Sequence, residues 1–365
     1  MKRPILLSML LASAICATSQ TGSISIKIAD LGGTGAIFDE RLASVPLIFD
    51  KLNSLTLPCA ESNLLRHYDS SFELLDIEES PVYFSGGSLW NSFDSAFYGR
   101  YSTFIILKDG REFLRELEGS PSSEAGMFGN LLLYPVQAGD KTLTGYLFPE
   151  KPGAPGIKVG HEDILKYVRD AGSRLKLSLS DDVVLYRGIP WYDYGFRNVW
   201  GNGEIGGYCS MDKDGNIYSF YSVWNSEGKE IKKFDLGREL DGGVINQISF
   251  DFEGNMYQLR NRELFYLGRD WGYPDASKGV ATGLAVKLRL HPGINELVIA
   301  EASPGQVSVF EKTLQLETIG GIIAPWYKVQ DKDGIVGWLH GSFLSMPEAA
   351  NLPVFDSPAL GLRSR

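Results

Sequence analysis

The sequence predicts a mainly β protein with an α+β N-terminal part, a hairpin-repeat middle region and a small C-terminal barrel. Three observations predict it. The chain has 365 residues with 41 Gly, 17 Tyr, 19 Phe and 7 Trp, a composition of aromatic strands joined by tight turns. A seven-residue turn motif recurs in the middle of the chain. A Trp-marked hairpin lies near the C-terminus. The formal net charge is −10, so there is no basic excess with which to grip phosphates, and nucleic acid is not an expected partner.

The N-terminus reads as an address. Lys2 and Arg3 precede an apolar run from Ile5 to Ile15, and Thr18, Ser19 and Gln20 are polar. This is the layout of a secretory signal peptide over 1–20, with Ala12-Ser13-Ala14 as a cleavage site. The run is shorter than the roughly 20 residues that span a bilayer. No later run reaches spanning length, so no transmembrane helix is expected in the mature chain. Cys16 is a candidate for lipid attachment, although Ser13 and Ile15 fit a lipobox poorly. The expected location is therefore periplasmic, cell-surface or secreted, with or without a lipid anchor. In an oxidising compartment Cys59 and Cys209 are candidates for a disulfide; the alternative is two buried thiols. Neither has a Cys or His at zinc-site spacing, and no metal is expected.

An N-terminal α+β or β-rich domain is expected over 21–150. It holds a helical-looking stretch near Asp39–Leu55, then strands at Phe72–Ile77, Pro81–Phe84, Thr103–Leu107, Asn130–Tyr134 and Leu143–Phe148. Lys151-Pro152-Gly153-Ala154-Pro155-Gly156 reads as a linker. A helix is expected after it: Glu162 and Asp163 suit a helix N-terminus, and Ile164, Leu165 and Val168 make an apolar face.

The middle region, 157–280, carries the repeat. Asp212-Lys213-Asp214-Gly215-Asn216-Ile217-Tyr218 returns 39 residues later as Asp251-Phe252-Glu253-Gly254-Asn255-Met256-Tyr257. The acidic residue and Gly-Asn make a tight turn, and Tyr starts the returning strand. Position 12 of the first copy is Val223 and its Gly is at position 4, so this is not an EF-hand. The motif resembles the blade turns of bacterial β-propeller families, whose period is also near 40. Two copies do not make a propeller, and a smaller set of paired hairpins is the simpler reading.

In the C-terminal part, Trp326 and Val329 are followed by a turn at Asp333-Gly334, a return strand Gly337-Trp338-Leu339, and Phe343-Leu344. In order and spacing this resembles the bacterial SH3-like (SH3b) domain over about 284–346. The resemblance implies a small barrel, a short 3₁₀ turn before Phe343, and a non-catalytic module that binds peptidoglycan or peptide segments. Trp326, Tyr327 and Trp338 are then candidates to line a groove; strand alternation equally allows Trp338 to pack the barrel core. Residues 347–365 read as a flexible tail.

Motifs for catalysis are missing. Gly32-Gly33-Thr34-Gly35 lacks P-loop spacing, Ser88 has no closing Gly, and His161-Glu162 is followed by Leu165 where a zincin has His. No cofactor is expected. Trp191, Tyr192 and Tyr194 are candidates to stack a sugar, or to pair across strands. The primary expectation is an exported envelope protein that binds wall polymer or a partner protein without catalysis. The alternatives are an exported wall hydrolase with its site in 36–280 and a propeller-like scaffold.

Overall fold

The computed structural model describes residues 25–31, 47–59, 64–79, 88–91, 95–100, 103–108, 111–116, 126–128, 131–135, 142–148, 156–172, 177–186, 189–190, 208–219, 222–225, 227, 229–233, 248–260, 262–269, 276–346 and 351–363. The chain is strand-rich throughout these segments, as the aromatic and Gly content predicts.

The first part is a series of antiparallel meanders. After β1 (Ile26–Asp30), β2 (Ile48–Phe49), β3 (Leu55–Cys59), β4 (Leu64–Tyr68) and β5 (Leu74–Glu79) pair in sequence order. So do β6 (Ser88–Asn91), β7 (Ser95–Arg100), β8 (Thr103–Lys108) and β9 (Arg111–Glu116). The next meander holds β10 (Gly126–Phe128), β11 (Leu131–Pro135), β12 (Leu143–Leu147) and β13 (Ile157–Val159). Helix α1 (His161–Ala171) follows, then three strands, β14 (Leu177–Ser180), β15 (Val183–Tyr186) and β16 (Ile189–Pro190). β17 (Tyr208–Met211), β18 (Ile217–Ser219), β19 (Ser222–Trp224) and β20 (Glu230–Lys233) form another meander, and β17 pairs in parallel with β6. The last holds β21 (Ile248–Phe250), β22 (Met256–Arg260) and β23 (Glu263–Gly268), and its fourth strand is β1, antiparallel to β23. The first described strand thus completes the last meander.

Two expectations change here. Residues 47–55, the described end of the helical-looking stretch expected near Asp39–Leu55, are strand and turn leading into β3, and residues 39–46 lie outside the described residues. Asp50 Oδ1 accepts from the backbone N–H groups of Leu52 and Ser54, and Asn53 sits at φ 62°. A residue in that left-handed region closes a hairpin and stops a helix. The 151–156 stretch is not a domain boundary: β12 before it and β13 after it are neighbours in one sheet, Tyr146 opposite Lys158. Helix α1 is where the charge pattern places it, with Glu162 and Asp163 in the first turn and Ile164, Leu165 and Val168 buried.

One turn recurs. Asp50, Asp69, Asp212, Asp251 and Asp331 each accept two backbone N–H groups, two and four residues on, through Oδ1. The third residue after each Asp has positive φ: Asn53, Phe72, Gly215, Gly254 and Gly334. An Asp that satisfies the turn's own amides makes a tight hairpin out of a short sequence.

The C-terminal part is one sheet. It contains β24 (Ser277–Ala281), β25 (Val286–Arg289), β26 (Val298–Ala302), β27 (Gly305–Ile319), β28 (Ile322–Gln330), β29 (Val336–His340) and, after a 3₁₀ turn at Gly341–Phe343, β30 (Leu344–Ser345). β27, β28 and β29 pair consecutively, and β24 pairs with both β27 and β30. Residues 351–363, expected as a flexible tail, are folded. β31 (Val354–Phe355) runs parallel to β27, and α2 (Pro358–Arg363) follows. The reason is the apolar spacing of Leu352, Phe355 and Leu360, all buried.

Among the described residues an apolar cluster joins the first and last meanders to the C-terminal sheet. Phe49, Leu55 and Leu57 of the first meander and Tyr257, Leu259 and Leu264 of the last meet Leu288, Val309, Val329 and Leu339 of the C-terminal sheet.

Candidate functional site

The repeat motif builds two buried polar hubs. In the first copy, Asp212 Oδ2 accepts from Asn216 Nδ2 at 2.8 Å and from the Tyr218 hydroxyl at 2.5 Å. In the second, Asp251 Oδ2 accepts from Asn255 Nδ2 at 2.8 Å and the Tyr257 hydroxyl at 2.7 Å. The four residue types that the two copies share thus divide the work of the turn. Asp closes it, Gly takes the positive φ, and Asn and Tyr satisfy the second carboxylate oxygen. Burial raises the pKa of both Asp residues, and both Tyr hydroxyls are pushed well up by burial and then by the neighbouring Asp.

The two turns nest against each other. The Lys213 N–H donates to the Phe252 carbonyl at 2.8 Å, and the Tyr218 and Phe250 rings stack at 4.3 Å. Gly254 lies directly beneath Tyr218; a Cβ there would fall 2.3 Å from the Tyr218 hydroxyl. Only Gly satisfies both the φ of 80° and this approach.

Both turns then reach into the C-terminal sheet with opposite charge. Lys213 Nζ donates to Glu311 Oε2 on β27 at 2.8 Å. Glu253 Oε2 accepts from Lys328 Nζ on β28 at 2.9 Å and from the Trp338 indole on β29 at 2.8 Å. Glu253 Oε1 accepts from His291 Nδ1 at 2.9 Å. Lys328 also lies 3.9 Å from Glu311. The result is a row of alternating charge, Lys213–Glu311–Lys328–Glu253–His291.

Glu253 is 0% exposed. Burial opposes its ionisation, yet Lys328 and the His291 hydrogen bond outweigh burial and hold its pKa at about 2. For His291 burial favours the neutral ring, but the hydrogen bond and charge of Glu253 raise its pKa overall. A carboxylate so enclosed, accepting three side-chain donors and shut off from solvent, is not placed to meet a substrate. Chemically the cluster is a latch between the second repeat turn and the C-terminal sheet.

The aromatic candidates divide. Trp326 and Trp338 are 1% and 0% exposed, so they do not line an open groove. Their strand positions face inward, and their indoles donate to Glu317 and Glu253. Tyr327 is half-buried and packs beside the main apolar cluster. Trp191, Tyr192, Tyr194 and Cys16 lie outside the described residues. Cys59 is buried on β3, where its thiol donates to the Leu57 carbonyl at 3.8 Å. Cys209 is on β17, and its side chain lies outside the described residues. Among the described residues no group of three or more His, Cys, Asp or Glu side chains is placed to hold a metal ion, and no helix is long and apolar enough to cross a membrane.

Sequence reading missed Glu253, His291 and Lys328 as a set. His291 and Lys328 lie 38 and 75 residues beyond Glu253 in the chain, and no local spacing announces such a convergence. The one usable signal is Glu253 itself, an acidic residue inside a repeated turn that has apolar Phe252 before it and Met256 three residues after it.

No protein-family profile matches this chain, and no curated protein matches it in sequence. Solved structures similar to it include the mitotic checkpoint complex, at 6% identity over 93% of this chain and 98% of that one, with a TM-score of 0.28. Streptogramin B lyase is similar at 9% identity over 83% and 84%, TM-score 0.28. The Cps50 (Swd1) beta-propeller domain of Myceliophteria thermophila is similar at 9% identity over 86% and 89%, TM-score 0.25. At these scores the likenesses add nothing to what the strand pairings themselves give.

Proposed function

We propose that the protein is an exported, non-catalytic scaffold that binds a partner protein of the cell envelope. In this reading its meanders close into a propeller-like ring, and its C-terminal unit is an SH3-like barrel. The ring reading is supported by the succession of antiparallel meanders among the described residues and by β1 completing the last of them through β23. The barrel reading is supported by β24 pairing with both β27 and β30, and by the 3₁₀ turn between β29 and β30. Export rests on the signal-peptide layout of residues 1–20.

The observation that carries the function is the buried latch. Ionised groups that join two units and are closed to solvent do no chemistry on a ligand; they set the units at one fixed angle. A protein partner is favoured over wall glycan because the two barrel Trp residues are already engaged by polypeptide, through Phe355 and Leu360. The test is fractionation and cross-linking of the tagged full chain in an exporting bacterium. Expected are recovery in the envelope fraction and one discrete cross-linked protein adduct. Recovery in the cytosol, or retention on purified peptidoglycan without any protein adduct, overturns the proposal.

A further inference from the structure

The C-terminal segment packs on β27 and over Trp326 and Trp338 of the C-terminal sheet. Its Phe355 ring stacks on Trp338 with centroids 5.5 Å apart, and Leu360 packs in the same cluster with Trp326. The Lys213 ammonium lies 5.0 Å from the centre of the Phe355 ring. The backbone joins as an added strand: Lys312 N–H donates to the Pro353 carbonyl, and Lys312 and Thr313 face Val354 and Phe355. Gln315 Oε1 accepts from the Ser357 N–H, and Gln315 Nε2 donates to Asp356 Oδ1.

Two features distinguish this from ordinary core packing. β27 has 15 residues, but β24 covers only Gly305–Val309 of one edge, and the segment adds two residues further along it. Added-strand docking with a side-chain anchor is a recurring mode of peptide recognition. Second, the floor of the site is satisfied without the segment. The Trp326 and Trp338 indoles donate to Glu317 and Glu253, neither of which belongs to the segment. Departure of the segment would uncover aromatic faces and leave both indole N–H groups of the floor with their partners.

We infer that this groove on β27, floored by Trp326 and Trp338, is a peptide-docking site filled in cis by residues 351–363. The ligand it takes in trans is an extended apolar segment with one aromatic anchor, followed by an acidic and a Ser-Pro step that turns the chain away. The inference rests on the reading of the protein as a binding scaffold and names the site at which a partner's segment docks. The cis segment is then the competitor that such a partner must displace.

The experiment uses the full chain with a specific protease sequence inserted between residues 346 and 351, folded first and then cleaved. The probe is a fluorescent peptide of residues 351–365. The expected result is saturable one-to-one binding to the cleaved protein, no binding to the uncleaved protein, and at least tenfold weaker binding of the Phe355→Ala peptide, as for a buried aromatic anchor. The barrel keeps its cooperative melting while the segment exchanges. The inference is overturned if the cleaved segment never exchanges, if its release unfolds the barrel, or if the peptide binds cleaved and uncleaved protein equally. A failure here leaves the envelope cross-linking result standing, and loss of that adduct leaves the exchange result standing, so the two readings fail separately.

Discussion

Replacing Glu253 by Gln keeps the shape of the latch and removes its charge. Lys328, 1% exposed, then stays buried with its nearest remaining carboxylate, Glu311, 3.9 Å away. Stranding one member of a buried ion pair costs about 3–5 kcal/mol. The Gln amide accepts only through its one oxygen, so the Trp338 bond survives in weakened form while His291 must present Nδ1 as an acceptor to the new NH2 group; with both contacts kept in that way the lower part of that range is expected, about 3 kcal/mol. At about 2–4 °C per kcal/mol for units of this size, the melting transition falls by roughly 10 °C. The partner test is Lys328→Met in the same background. Removing both charges leaves no stranded ion, so the Glu253→Gln, Lys328→Met double variant recovers most of the loss. The assay is thermal and urea unfolding of the four proteins of the cycle. A Glu253→Gln variant within about 1 kcal/mol of the parent, or a double variant whose loss is the plain sum of the singles, would rule out the latch.

Stability should also follow pH through the same cluster. The Glu253 pKa is depressed from 4.5 to about 2, so its contribution is full above the unfolded value and is lost as pH falls towards the folded one; the shift corresponds to roughly 3 kcal/mol. Asp251 and Asp212, raised by burial, act in the opposite direction on the acid side. His291 is raised above 6.5, so its contribution is full below that value and is lost as pH rises through the folded pKa. Urea midpoints against pH should be highest between about 4.5 and 6.5, and a midpoint still rising above neutrality counts against the His291–Glu253 pair. Gly254→Ala should destabilise by more than about 2 kcal/mol, by the strain and clash scale for positive-φ glycines. Gly320→Asn, at φ 59° with open space around it, should stay within about 0.5 kcal/mol; equal effects would mean the nested turns are not in contact. Tyr257→Phe removes one hydroxyl from Asp251 and should cost about 1–2 kcal/mol in chemical denaturation; no loss would show that Asp251 does not need it.

The β class and the turns were legible because they depend on neighbours in sequence. Asp, Gly and Asn within five residues decide the Asp212 and Asp251 hairpins, and the turn expected at Asp333-Gly334 also forms where the sequence places it. Helix α1 was legible for the same reason, its apolar face repeating every three to four residues. The helix expected before Leu55 failed because an Asp–Asn turn overrode an apolar pattern that suits either state. The tail was misread because its three apolar anchors lie among Pro and Ala, and the groove that orders them is made far upstream, by residues from Lys213 to Trp338. The burial of Trp326 and Trp338 depends on that same segment, so sequence order alone leaves groove and core undecided. The latch was illegible in principle: Glu253, His291 and Lys328 meet only after three separate elements have folded.

A latch of this kind makes the last meander and the C-terminal sheet one rigid body. Native-state amide hydrogen exchange on the full chain reads that rigidity without any perturbing probe. Under a working latch β22, β28 and β29 exchange with a common opening free energy, and Glu253→Gln lowers all three together. Exchange of β28 and β29 at a free energy of their own, unchanged by Glu253→Gln, would contradict it.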